Sequence, residues 1–125
     1  MKNLILVLTF LLTSFGVFSQ SNKTLVKSFT NVTDNVSFEV SCEKTIKYWP
    51  NSYVRIEVNI STNYSEELLS SLVKSGRYDL FSKIENGVTL ISLPNLSREI
   101  VIRGEKVKEK LNLVVWLPEN SVFYR

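Results

Sequence analysis

The side chains in this chain that could do chemistry are few, and their spacing narrows them further. General acid–base work needs two convergent groups, and the acids are Asp34, Asp79 and ten glutamates. Only Glu39 with Glu43 and Glu66 with Glu67 are spaced to share a face. Glu39 and Glu43 share a polar face with Ser37 and Ser41, where a solvated surface is the ordinary role. There is no histidine and one cysteine, Cys42, which excludes a Ser-His-Asp triad, a Cys-His pair, a histidine metal site and a zinc ribbon. The four glycines, Gly16, Gly76, Gly87 and Gly104, are scattered, so no phosphate-cradling loop exists, and no calcium loop is visible. The expectation is therefore a protein that is not an enzyme, with no catalytic residue, no cofactor and no metal ligand.

The aromatic residues offer binding chemistry instead. Tyr48, Trp49 and Tyr53 flank a turn at Pro50, and Trp116, Phe123 and Tyr124 lie near the C-terminus. Rings around a turn either pack beneath it or stand as flat platforms for a glycan or a protein. Tyr48, Trp49 and Tyr53 form the candidate recognition surface. Trp116 alternates with core-like Val115 and Leu117 and is the weaker candidate.

These residues must be held by strands. Val36, Phe38, Val40 and Cys42 alternate with Ser37, Glu39, Ser41 and Glu43, the period of a half-buried strand, and this register makes Cys42 a small buried hydrophobe. Tyr53 to Ile60 is the cleanest alternation, with Val54, Ile56, Val58 and Ile60 on one face. One helix is expected over about 64–75, where Leu68, Leu69, Leu72 and Val73 make an apolar stripe. Asn63 or Ser65 can cap it, and Lys74-Ser75-Gly76 closes it. Arg77 to Ile84 and Val88 to Leu93 read as strands joined by Asn86-Gly87, a tight hairpin signal. Glu99 to Arg103, Leu111 to Leu117 and a start at Ser121 complete the strands. The fold class is mainly β, about seven strands in a sandwich or solenoid-like arrangement with one packed helix.

The chain has 125 residues, 44% hydrophobic and 22% charged, with a net charge of +3, which suits one domain and argues against a nucleic-acid partner. The run Arg103 to Lys110 alternates in sign around Gly104 and reads as a solvated turn. Lys2 followed by the apolar stretch Leu4 to Phe18 has the form of a secretory signal, with cleavage expected after Ser19. The apolar stretch is shorter than the ~20 residues a membrane helix needs, so no permanent span is expected after cleavage. The organisation is then 1–19 signal peptide and 20–125 a single β-rich domain, exported to the periplasm, the outer-membrane surface or the exterior. Edge strands of such a domain invite self-association.

The stretch Trp49 to Leu117 carries Val54-Arg55-Ile56, Asn63, Leu69 to Leu72, Gly76-Arg77-Tyr78, Gly87-Val88, Pro94, Ile102-Arg103-Gly104-Glu105, Glu109-Lys110 and Leu117-Pro118. It resembles small exported proteins of the Bacteroidetes that are similar to the GIN-domain family of auto-transporter adhesin heads. The resemblance implies an adhesion-related binding module of the cell envelope or cell surface, with an envelope protein or a glycan as partner. It also implies further strands after Leu117-Pro118, so 20–125 is expected to be a short form or a fragment. A second likeness involves Asn86-Gly87-Val88-Thr89-Leu90-Ile91 and Leu117-Pro118-Glu119-Asn120, which resemble the α-crystallin type sandwich of small heat-shock proteins. That likeness implies a periplasmic holdase-like chaperone.

Overall fold

The computed structural model describes residues 21–102, 104–106 and 108–124; the expected signal segment 1–19 and its cleavage point lie outside them. The described elements run β1 (Ser21–Phe29), β2 (Asn35–Phe38), β3 (Glu43–Trp49), β4 (Val54–Thr62), α1 (Glu66–Lys74), β5 (Phe81–Glu85) and β6 (Val88–Ser92). A short 3-10 turn (Pro94–Ser97) follows, then β7 (Val101–Ile102), β8 (Glu105–Lys106), β9 (Glu109–Pro118) and β10 (Val122–Tyr124). Eight strands build two four-stranded mixed sheets, ordered β1-β4-β9-β3 and β10-β2-β6-β5, while β7 and β8 form a separate ribbon.

The alternation along β4 decides the core. Val54, Ile56, Val58 and Ile60 are fully buried, and antiparallel β9 sets Val115, Leu113 and Leu111 opposite the last three of them. Burying each such side chain contributes roughly 1.5–3 kcal/mol. The second sheet covers this face with Val36 from β2 and Ile91 from β6, so the two sheets share one core. The arrangement is a sandwich rather than a solenoid.

The helix forms where its stripe predicts. Ser65 caps it, its side chain accepting from the Leu68 N–H at 3.2 Å, and Leu69 and Leu72 are buried beside β1. Gly76 ends it at φ 84°, a left-handed position that a Cβ would strain. Asn86 and Gly87 also hold positive φ, 53° and 78°, and close the β5–β6 hairpin as expected.

Three expectations change. The strand read from Val36 to Cys42 ends at Phe38, and the chain re-forms as β3 in the other sheet. Alternation persists across the switch, with Phe38, Val40 and Cys42 half-buried and Glu39 and Ser41 exposed, so one inward row serves both sheets. The strand read from Arg77 begins only at Phe81, because Arg77 and Tyr78 are drawn into a buried polar contact before it. Finally, β1 is a nine-residue edge strand paired along its whole length with β4, an element beyond the strands expected from the alternation.

Candidate functional site

The outer face of the β1-β4-β9-β3 sheet gathers aromatic and cationic side chains in one row. Cross-strand register sets Ser28 beside Arg55, Arg55 beside Trp116, and Trp116 beside Lys47. Successive residues of a strand point to opposite faces, so Trp116 stands outward between inward-facing Val115 and Leu117. The Arg55 guanidinium carbon lies 5.3 Å and the Lys47 ammonium 5.5 Å from its ring centroid. Trp49 joins from the end of β3, its ring 6.2 Å from Trp116 and 4.9 Å from Tyr53, edge-on to the latter. Its Nε1 donates to the Tyr53 carbonyl at 3.0 Å, which fixes the indole across the Pro50 turn. Arg55 also meets Glu57 at 3.5 Å, a partly exposed pair that neutralises it weakly.

Of the three candidate recognition residues, the fold brings two together. Trp49 and Tyr53 share the outer face with Trp116, whereas Tyr48 belongs to the opposite face of β3, in register with buried Leu117. Tyr48 is still exposed because β3 is an edge strand. Neighbours in a strand cannot serve one surface, which splits the trio. Trp116, the weaker candidate in the sequence, sits at the centre of the cluster, and its outward alternation was the available signal. Lys47 and Arg55 were not singled out; their cross-strand positions become visible only once β9 lies between β3 and β4.

The other candidates separate. Glu39 lies in the link from β2 to β3 and Glu43 begins β3, both exposed, and Glu66 and Glu67 occupy the exposed first turn of α1. Cys42 is half-buried, and burial pushes its thiol pKa up. Among the described residues no group of three or more Cys, Asp or Glu side chains is placed to hold a metal.

A buried polar contact corrects the reading of the Arg103–Lys110 run. Glu109 is not solvated: its side chain is 12% exposed and pairs with Arg77, which is 8% exposed. Arg77 Nε donates to both carboxylate oxygens at 3.2 and 3.3 Å, its Nη2 donates to Oε1, and its Nη1 donates to the Arg98 carbonyl. Tyr78 donates its hydroxyl to the second carboxylate oxygen. Every polar group of this clasp is engaged within the protein, so its role is to tie the end of α1 to the start of β9.

Burial, and then the bond to Glu109, push the Tyr78 phenol well above its ordinary pKa of 10.0. Below that ordinary value both folded and unfolded chains keep the proton, so Tyr78 gives no slope. Above it the unfolded chain releases the proton while the folded chain holds it, and stability falls as pH rises. Urea melts from pH about 9 to about 11 should show a decline that is shallower in Tyr78→Phe. Parallel slopes in the two proteins would mean that the phenol is not held by the clasp.

No family model matches the chain, and no curated protein matches it. Among solved structures it is similar to a putative cell adhesion protein from Clostridium sporogenes, with 14% identity and a TM-score of 0.42. The match covers 82% of this chain and 45% of that one, so this chain spans less than half the length of that protein. A likeness of that order bears on neither fold nor function.

Proposed function

We propose that this domain is an exported, non-enzymatic binding module of the cell envelope or cell surface, adhesive in role, whose ligand is a glycan bearing acidic groups. The observation that carries the reading is the outer-face cluster of Trp49, Tyr53 and Trp116 with Lys47 and Arg55 beside the Trp116 ring. Indole and phenol rings offer apolar contact to the C–H faces of sugars, and the two cations draw carboxylates. The resemblance of the sequence to GIN-domain adhesin heads and the form of residues 1–19 point the same way.

The test is affinity electrophoresis of the purified protein through gels containing alginate, an acidic polysaccharide, or dextran, a neutral one. Alginate is expected to retard the protein and dextran to leave it unaffected. Trp116→Ala and Lys47→Glu are each expected to weaken retardation about fivefold with melting curves close to the parent's, since both side chains face outward. Equal mobility in both gels, or variants that bind like the parent, would overturn the reading. Export has its own test: protease added to intact cells should cut this protein while a periplasmic marker survives if the domain faces outward.

A further inference from the structure

The two open sides of the sandwich are finished differently. Beside β1 and β5, Lys27 donates to the Leu80 carbonyl at 2.9 Å and lies 5.5 Å from both the Phe29 and Phe81 rings, bridging the two sheets. Beside β3 and β10, the sheets leave a groove of about 430 Å³ lined by Phe38, Val40, Cys42, Lys44, Ile46 and Phe123. The five apolar members are half-buried and pack on the core, so the groove is core surface that no strand among the described residues covers.

The same edge offers main-chain groups. Among the described residues β3 is bonded on one side only, to β9. The Trp49 carbonyl accepts from Glu119 N–H on the β9 side, and the two-residue alternation of a strand then turns the main-chain groups of Lys44, Ile46 and Tyr48 towards the open edge. Such an edge beside an apolar slot has the form used in recognition by strand addition: main-chain bonds supply affinity, and alternate side chains fill the slot.

Charge decides the occupant. Lys44 donates to the carbonyls of Val40 at 2.6 Å and Cys42 at 3.1 Å, which fixes its ammonium at the groove. Neither Lys44 nor Lys47 has an ion pair among the described residues. The other long edge strand, β1, carries Lys23 and Lys27, so pairing β3 with β1 of a second copy would bring like charges together. We infer that the β3 edge binds an extended segment of a different protein whose groove-facing side chains are apolar apart from one carboxylate, which meets Lys44.

The probe is a capped eight-residue peptide alternating valine with serine in which one groove-facing valine is replaced by glutamate, beside a twin with lysine at that position. Cys42 is the native reporter, because an added strand would cover its thiol. Saturating acidic peptide is expected to slow alkylation of Cys42 at pH 8 about tenfold, and the lysine twin should bind about tenfold more weakly. Backbone amide shifts in the unmodified chain should concentrate at residues 40–48 and 122–124. Lys44→Glu should invert the preference between the two peptides, while Trp116→Ala on the outer face should leave it unchanged, which separates this site from the glycan-binding proposal. Equal binding of both peptides, unaltered Cys42 labelling, or amide shifts elsewhere would overturn the inference. So would a dimer that protects Cys42 without peptide, since a second copy would then be the occupant.

Discussion

Glu109→Ala is expected to lower the unfolding free energy by about 3–5 kcal/mol, because it leaves the Arg77 guanidinium buried without its counter-charge. Arg77 is 8% exposed, its backbone N–H donates to the Leu72 carbonyl and its Nη1 to the Arg98 carbonyl, so water cannot replace the carboxylate without opening the contact. The same substitution removes the acceptor of the Tyr78 hydroxyl, a second buried donor left alone. Removing both charges should be far milder. A double variant, Arg77→Met with Glu109→Leu, is expected to recover most of the loss, since an apolar pair of similar size avoids the unpaired charge. Urea denaturation at pH 7 measures all three proteins. A loss below about 1 kcal/mol for Glu109→Ala would place the pair among exposed ion pairs and remove the clasp from the account of the fold.

Glu109 also shows what a single sequence withholds. Within Arg103 to Lys110 its neighbours alternate in charge, and nothing local distinguishes it from a solvated glutamate. Its burial is set by a partner 32 positions away, at the exit of a helix that itself was legible from its stripe. The same limit governs the outer-face cluster. Period two told which residues of β4 and β9 face outward, and it put Trp116 opposite to Val115 and Leu117. It could not tell that β3 lies parallel to β9 and sets Lys47 beside that indole. Adjacent Tyr48 and Trp49 were grouped by proximity in sequence, although a strand running through them must send them to opposite faces.

Two further elements explain the strand errors. The row Val36, Phe38, Val40, Cys42 was correct about the inward face, but alternation is blind to which sheet supplies the hydrogen bonds, and the ladder changes partner after Phe38. In β1 only Ser21, Leu25 and Phe29 are buried or half-buried, because the intervening inward positions are Lys23 and Lys27. An edge strand can put lysines there, since the stem covers apolar surface while the ammonium reaches out, as Lys27 does to Leu80. The buried and half-buried positions then recur every four residues, and the strand's own period is hidden.

Where alternation was unbroken, the second large effect follows directly from it. Ile56→Ala is expected to cost about 3–4 kcal/mol, from the lost transfer of three carbons and from a cavity that close-packed neighbours fill only in part. Ile56 is fully buried on a central strand, with Lys27 of β1 on one side and Val115 of β9 on the other in the same inward row. Both flanking strands are held along ladders of eight or nine residue pairs, so the backbone has little freedom to collapse inward. Val26→Ala is the matched control: it is one residue from Lys27 in β1, faces outward, and is 53% exposed, so a change within about 0.5 kcal/mol is expected. Against a total of roughly 5–15 kcal/mol for a domain of this kind, the Ile56 loss removes a large share of the stability. The measurement also tests the sandwich itself. If the β10-β2-β6-β5 sheet did not cover the inner face, Ile56 would be partly solvated, and its truncation would cost no more than about 1 kcal/mol.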